Sequence, residues 1–366
     1  MSKTKRHIVI VTSEFPPQPG GIGNHAYNLA VHLQQQDCDV TVIADQRSDD
    51  GKAEHQFDTA LSFTVVRIKK YDFRIFMYLK RVWLTFKFAN NASHVIATGK
   101  FSLWNVAFFS LFFNRNTLAV IHGTEVNFKS SILKKSIDTS LKRFDCIVAV
   151  SNYTKSLVRH LNKDVIVIPN GIEISKWNQP ISKSSLKGEP VLTTVGRVSS
   201  RKGQLNVIRH LPRLIEQYPD LHYHCIGIPT EADVFLEAAK QRHVESHITF
   251  HGSVDDQTLR QYLAATDIFV MLSTESATGD VEGFGIAILE ANAMGVPAIG
   301  SKGCGIEDAI KSHHSGMLID VDDSAQFIDG ITEILNNTSK FKSEASSWAK
   351  SHDWSTIVKR YIDLLE

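Results

Sequence analysis

Short runs of β-branched and aliphatic residues alternate with longer amphipathic stretches along this whole chain, and few folds accept that alternation. Strands are predicted at Ile8–Thr12, Val40–Ala44, Phe63–Ile68, His94–Ala97, Leu118–Ile121, Cys146–Val150 and Val165–Ile168. A polar stretch from Ser175 to Pro190, holding two prolines and several Ser and Lys, reads as an interdomain linker. The series then restarts with Val191–Val195, His222–Ile228, Ile248–Phe250, Asp267–Met271, Pro297–Gly300 and Gly316–Ile319. Short apolar strands separated by helical patterns build parallel sheets with helices on both faces. At about 150 residues per domain, the 366 residues fit two or three domains. Two Rossmann-like domains in tandem, residues 1–177 and 178–345, are the economical account. The chain ends in a helical pattern, Ser339–Glu366, whose part 346–366 is expected to return across the linker towards the first domain.

Composition narrows the class. With 43% apolar and 22% charged residues, disordered and fibrous chains are excluded. The net charge of +1 conceals an imbalance: residues 1–177 carry 23 Lys and Arg against 14 Asp and Glu, the remainder 17 against 25. A basic first half points to an anionic surface or substrate there. The four cysteines, Cys38, Cys146, Cys225 and Cys304, form no C-x-x-C pair, which favours a reducing cytosol over a disulfide framework. Basic residues precede Ile8–Val11, but the apolar run is too short for a signal peptide and is closed by Glu14-Phe15-Pro16-Pro17, so it reads as a first buried strand. No stretch reaches the roughly 18 apolar residues of a membrane span.

Three motifs carry chemistry. Pro19-Gly20-Gly21-Ile22-Gly23-Asn24-His25 follows the first strand and precedes a predicted helix Ala26–Gln35, a turn that lets backbone approach a ligand. It lacks the G-x-G-x-x-G order of a dinucleotide site. Gly196-Arg197 leaves the first strand of the second domain and is followed by Arg201, Lys202 and Gly203. Cations at the carboxyl end of a parallel strand beside a helix start make an anion site. The third is Glu282-Gly283-Phe284-Gly285-Ile286-Ala287-Ile288-Leu289-Glu290, leading to Gly295-Val296-Pro297. Its glycines allow tight backbone at a helix start, and about two helical turns would leave both carboxylates on one face, placed to accept hydrogen bonds from sugar hydroxyls. Amides between them can hold a phosphate.

Together with Ile121-His122-Gly123-Thr124-Glu125, Val150-Ser151 and Ile168-Pro169-Asn170-Gly171-Ile172, these motifs resemble, in order and over nearly the whole chain, the retaining nucleotide-sugar glycosyltransferases of family 4. The resemblance implies the α/β GT-B fold of two facing Rossmann-like domains, the second holding donor and the first acceptor. It implies that Arg197 and Lys202 neutralise the donor diphosphate, Glu290 binds ribose and Glu282 touches the transferred sugar. Gly20, Gly21, Gly196, Gly283, Phe284, Gly285 and Ile286 would complete the donor contacts. His122 would act at the reacting sugar with Arg197, Lys202 and Glu282, while Gly23, Asn24, Glu125 and Asn170 would face the acceptor. The reaction expected is transfer from a UDP- or GDP-sugar to a hydroxyl of a lipid-linked glycan or glycolipid in envelope polysaccharide or lipopolysaccharide assembly. The alternatives are a nucleotide-sugar 2-epimerase of the same fold and a non-catalytic glycan-binding protein. The loop Ser276–Val281 resembles an insert of some phosphatidylinositol mannosyltransferases and leans the donor to GDP-mannose.

No cofactor or metal is expected, because an Arg/Lys pair and a helix N-terminus stabilise a departing diphosphate unaided. Asp37-Cys38-Asp39 and Asp320-Val321-Asp322 are taken as turn and capping residues, and His222/His224 and His313-His314 as structural. One feature stands outside the resemblance. Arg67–Phe88 holds seven basic residues against Asp72 alone, interleaved with seven aromatic rings, and Lys129, Lys134, Lys135, Lys142 and Arg143 follow. This pattern suits an anionic membrane surface, giving a cytoplasmic protein peripheral to the membrane; no nucleic-acid motif accompanies the charge. Nothing in the sequence fixes the oligomeric state.

Overall fold

A computed structural model describes residues 5–276 and 278–366, the side chain of Arg74 excepted. Ala277, inside the loop that leans towards GDP-mannose, lies outside the described residues. The chain divides into two compact units: residues up to Asn170 together with Trp354–Glu366, and Gly171–Asp353.

In the first unit the elements are β1 (His7–Thr12), α1 (Gly21–Gln35), β2 (Asp39–Asp45), α2 (Lys52–Asp58), β3 (Thr64–Ile68), α3 (Arg74–Ala89), β4 (His94–Thr98), α4 (Lys100–Phe109), β5 (Asn116–Ile121), α5 (Ser131–Leu141), β6 (Cys146–Ala149), α6 (Asn152–Leu157) and β7 (Val165–Val167). The second unit contains α7 (Ile174–Trp177), β8 (Val191–Val195), α8 (Gln204–Gln217), β9 (His222–Ile226), α9 (Ala232–Lys240), β10 (Ile248–Gly252), α10 (Asp256–Ala264), β11 (Ile268–Met271), α11 (Ile286–Ala293), β12 (Ala298–Ser301), β13 (Gly316–Ile319), α12 (Ser324–Asn336) and α13 (Thr338–Ser351). The last helix, α14 (Trp354–Leu365), belongs to the first unit.

Every strand pair is parallel, in the orders β3-β2-β1-β4-β5-β6-β7 and β10-β9-β8-β11-β12-β13. Ile8, Val9, Ile10 and Val11 are completely buried, as are Ile268, Phe269, Val270 and Met271, because helices cover both faces of central parallel strands. Each sheet reverses its strand order once, between β1 and β4 and between β8 and β11. At such a switch point the loops leaving neighbouring strands diverge and open a crevice at their carboxyl ends. The glycine-rich turn after β1 and the Gly196-Arg197 turn after β8 both stand there.

Three boundaries differ from the sequence expectation. The units divide at Asn170/Gly171 rather than at 177, because the segment after Asn170 is bonded into the second unit. The amide of Ile172 donates to the His352 carbonyl (2.9 Å), that of Ile174 to the Asp353 carboxylate (3.2 Å), and Trp177 is buried. The Ser175–Pro190 stretch is held along this unit too, with the amides of Ser184 and Glu189 bonded to the carbonyls of Gln261 and Asp220. At the other end the predicted helical segment is two helices, and only α14, packed on α1, joins the first unit. α1 itself starts at Gly21, five residues before the predicted Ala26, so the glycine-rich turn supplies its first helical turn.

Backbone packs on backbone around the second crevice. Gly203 has φ +83°, and a Cβ there would lie 2.0 Å from the Leu272 carbonyl oxygen, whereas a Cβ on Gly21 would meet nothing within 4 Å. Gly203→Ala is therefore expected to cost about 2–3 kcal/mol of stability and Gly21→Ala less than about 0.5 kcal/mol, read by denaturant unfolding. Equal losses in the two variants would show that this close approach is not enforced.

Candidate active site

In the second unit Gly196, Arg197, Lys202, Gly203 and the Glu282–Glu290 segment gather at the carboxyl ends of β8 and β11. The Lys202 stem lies across Gly196, where a Cβ would come within 3.3 Å of its Cε. Gln204 staples the intervening loop, accepting from the Ser199 amide (3.3 Å) and donating to the Arg197 carbonyl (3.2 Å). Arg197 is exposed, and among the described residues its guanidinium has no ion-pair partner. Both helices that begin here do so from left-handed glycines, α8 from Gly203 and α11 from Gly285. A glycine cap has no side chain to accept from the first-turn amides, so those ahead of Ile288, which itself donates to the Gly285 carbonyl (2.9 Å), remain for a ligand at α11, as do the first amides of α8.

The two acidic residues of the third motif differ in position and in charge. The sequence expectation placed them on one helical face; instead Glu282 precedes the helix, because the backbone is not helical until Ile286. Its carboxylate bridges Arg201 Nη1 (2.6 Å) and Lys202 Nζ (2.7 Å). Burial alone would raise its pKa, but these two cations overcome burial and hold Glu282 below the ordinary carboxylate range. Both cations meet the same carboxylate oxygen, Oε2. Glu290, half-buried on α11, has no such partner among the described residues. Burial pushes its pKa up to about 7, against the weaker opposing pull of Lys176 and Lys202. Phe284 is buried against His352, with ring centroids 6.1 Å apart, and offers only its backbone. Gly283 lies beneath a second tight approach, since a Cβ on Gly305 would lie 2.0 Å from its carbonyl oxygen. Ile286 opens the helix.

In the first unit His122 leaves β5 beside the carboxyl end of β4. Its Nε2 bonds Thr98 Oγ1 (2.8 Å), and its amide donates to the Glu125 carboxylate. The ring of buried His25 meets it edge-on, centroids 4.9 Å apart. His25 is fixed through Nδ1 to Asn170 Oδ1 (2.8 Å) and through Nε2 to the hydroxyl of Tyr361 on α14 (3.3 Å). Burial lowers the pKa of both rings, to about 4 for His25 and well below the ordinary value for His122, where the His25 ring adds to the effect. Glu125 is fully buried and its pKa is raised to about 7 by that burial.

The four residues expected to face an acceptor differ in their surroundings. Glu125 and Asn170 are buried and spend their oxygens on His122 and His25, and Gly23 is buried with space for no Cβ, which would lie 3.1 Å from the Glu14–Phe15 backbone. Asn24 alone of the four is exposed. Gly20 caps α1, and Gly21 faces open space. Sequence reasoning placed Arg201 among the cations of the anion site but not against Glu282, and assigned no role to Thr98, His25 or Tyr361. Arg201 stood in plain view beside Lys202, but nothing local pairs Tyr361 with a residue 336 positions earlier.

The remaining motifs are held in local structure. Asp37 adopts a left-handed turn (φ 58°) before β2, and Asp323, just after the Asp320–Asp322 string, caps α12 through the amides of Ala325 and Gln326. His222 bonds Thr249 Oγ1, His224 bonds His251, and His313 and His314 bond Glu333 and Glu344.

Comparison with known proteins agrees with this arrangement. The profile of glycosyl transferases group 1 matches residues 175–352, and that of Glycosyltransferase Family 4 matches residues 19–176. The chain is 25% identical to the GDP-mannose-dependent alpha-(1-6)-phosphatidylinositol monomannoside mannosyltransferase of Mycobacterium tuberculosis, over 98% of this chain and 97% of that one. It is 24% identical to the GDP-mannose-dependent monoacylated alpha-(1-6)-phosphatidylinositol monomannoside mannosyltransferase of Corynebacterium glutamicum, over 99% and 98%. Among solved structures, Anabaena Alr3699/HepE in complex with UDP and glucose superposes with a TM-score of 0.77 at 20% identity, over 98% of this chain and 99% of that one. Two parallel α/β units, the two profiles in tandem and end-to-end relatives make the chain a glycosyltransferase of family 4, with the GT-B fold.

Proposed function

We propose that this glycosyltransferase is a retaining mannosyltransferase that takes GDP-mannose as donor and passes the sugar to a hydroxyl of a glycolipid of the cell envelope. The end-to-end likeness to GDP-mannose-dependent enzymes acting on inositol lipids carries the donor and acceptor classes. The second unit supplies a fitting chemistry. Arg197, Lys202 and the uncapped amides of α8 and α11 would meet the diphosphate, and their positive field would favour its departure without a metal. Glu290 would take the ribose hydroxyls, which give a half-buried carboxylate the donors it lacks. Glu282 would hold Arg201 and Lys202 in position, a role read from the ion pairs rather than from the motif. With retention, the acceptor hydroxyl attacks on the side from which the diphosphate leaves and passes its proton to the departing phosphate oxygen. His122, kept neutral by burial and fixed by Thr98 and Glu125, would meet the reacting sugar as a hydrogen-bonding group rather than as a cation.

The donor is tested by thermal shift with GDP, UDP and their sugars, because a ligand bound only to the folded state raises its apparent stability. GDP and GDP-mannose are expected to shift the transition most, and incubation with phosphatidylinositol monomannoside to yield a lipid carrying one more mannose, with chelator present or absent. A larger shift with UDP-sugars would overturn the GDP assignment. Conversion of the donor to its 2-epimer without acceptor would overturn transfer.

Glu290 gives a pH signature. Its folded pKa, about 7, lies above the ordinary 4.5, so the folded state binds this proton more tightly than the unfolded state, and stability is lost as pH rises from about 4.5 through 7. Above pH 7 the free Glu290→Gln variant should therefore melt higher than wild type while its GDP-induced shift shrinks. GDP affinity of the wild type should rise through pH 7, and that rise should vanish in the variant. An unchanged GDP titration in Glu290→Gln would remove Glu290 from the ribose site.

Glu125 acts through His122. Glu125→Ala is expected to lower kcat by about tenfold to a hundredfold with the GDP-induced shift intact, and Glu125→Gln, which keeps an acceptor oxygen, to restore most of the loss. Equal damage by both substitutions would mean that the residue serves only the fold.

A further inference from the structure

Helix α3 buries Leu84 and Ala89 in the core, yet over part of its length its polarity is the reverse of that expected for a helix facing water. Its inward side carries Arg81, 3% exposed and bonded to the Asp45 carboxylate (2.5 Å), and buried Thr85, bonded by Asn105 of α4 (2.7 Å). Its outward side presents Phe76, Leu79 and Trp83, each more than half exposed, at the three- and four-residue spacing of one helical face. The face continues onto α4 and the turn after it, through Tyr78 stacked on Phe101 (4.8 Å) and Phe86 against Phe112 (5.5 Å), and α4 is tied to α5 by Trp104 Nε1, which donates to Ser136 Oγ (3.1 Å). Fourteen large apolar side chains are exposed among the described residues, and twelve of them lie between Tyr71 and Leu133. An apolar surface this concentrated marks a contact with something other than water.

Charge identifies the occupant. The stretch 69–136 contains eleven Lys and Arg against two acids, Asp72 and Glu125, and Glu125 is buried. Redrawn at its structural limits, the first unit holds 24 Lys and Arg against 15 Asp and Glu. Outside 69–136 that leaves thirteen of each, so the unit's whole excess of +9 resides on this one stretch. Not every basic residue of the Arg67–Phe88 run takes part, since Arg67 and Arg81 are turned inward onto Asp58 and Asp45. The lysines stand among the rings: Lys80 Nζ is 4.0 Å from the Trp83 centroid, and Lys87 Nζ is 5.3 Å from those of Trp83 and Phe88. Rings and aliphatic chains bordered by ammonium groups match the boundary between acyl chains and anionic headgroups. A second copy of this face would bring like charges together. No helix among the described residues is long and apolar enough to cross a membrane, so the contact is a docking and not a span.

We propose that the α3–α4–α5 face docks on an anionic phospholipid bilayer, seating Phe76, Leu79 and Trp83 at the acyl boundary with Lys80 and Lys87 among the headgroups. The proposal is independent of the donor reading, and its test, folding control included, uses neither donor nor nucleotide nor acceptor. The full chain is floated with vesicles of phosphatidylcholine alone or mixed with phosphatidylglycerol. Binding is expected on the mixed vesicles, weakening as salt rises. Brominated acyl chains should quench tryptophan emission, and Trp83→Phe should bind while losing that quenching. Lys80→Gln and Lys87→Gln should each weaken binding about fivefold at low salt, and Leu79→Ser by about tenfold or more. These side chains face outward, and an unchanged far-ultraviolet circular dichroism spectrum and melting temperature verify that the variants fold. Equal binding to neutral and anionic vesicles, absence of binding, or no quenching of Trp83 would overturn the proposal. So would a dimer in sedimentation that Leu79→Ser dissociates.

Discussion

The candidate donor site depends on backbone meeting backbone. At the carboxyl ends of the second sheet, glycines lie where a Cβ would come 2.0 Å from the Leu272 carbonyl oxygen (Gly203), 2.2 Å from that of Gly196 (Gly227) and 2.0 Å from that of Gly283 (Gly305). Ordinary side chains would push these loops apart. Their absence brings the starts of α8 and α11, the Lys202 stem and the Glu282 loop into one crevice, where helix amides and cations add their fields in a setting of low dielectric. Such loops also explain why the site lies at a switch point, since only there do neighbouring strands send their connections to opposite faces.

Within that frame, burial and partnership sort the acids. Glu282 and Glu290 come from one motif, yet one is held ionised by two cations and the other is pushed to about 7 by burial that its distant cations do not offset. Glu125 shares the second condition, with a backbone amide as its main partner. An acid already paired is spent on architecture, and one left short of partners gains most from a ligand that brings hydroxyls. Site chemistry is therefore distributed by contacts and not by the motif string.

That distinction also explains what was legible in the sequence. The thirteen strands among the described residues were readable because buried parallel strands are continuous β-branched runs between breakers, and Gly203 was readable because its close approach to the Leu272 carbonyl admits no other residue, whereas Gly21 meets no such constraint. The commitment of Glu282 to Arg201 was not, because the two are 81 residues apart and their pairing arises only from the loop geometry. The His25–Tyr361 contact was hidden by a longer separation still. The division at Asn170 escaped because hydrogen bonds to His352 and Asp353, and not composition, assign residues 171–177 to the second unit. The tight packing of Gly23 on the Glu14–Phe15 backbone was not legible, because a glycine needed for packing and one needed for ligand approach look alike in sequence.

The two halves of opposite charge reflect the same economy. The second unit, net acidic, still gathers Arg197, Arg201 and Lys202 at one place, where ion-paired Glu282 offsets one of the three charges and most of the unit's other acids are distant and screened by solvent. The first unit does the reverse, concentrating its entire excess on one stretch whose outward side chains are apolar. Local positive charge suits a small anion in one case and a broad anionic surface in the other. What separates them is the companion chemistry: uncapped amides and glycine beside Lys202, rings and aliphatic chains beside Lys80. A glycolipid acceptor presents its reactive hydroxyl at just such a surface, so a transferase that docks there meets its substrate in two dimensions, with Asp45–Arg81 anchoring the helix whose other face stays free for lipid.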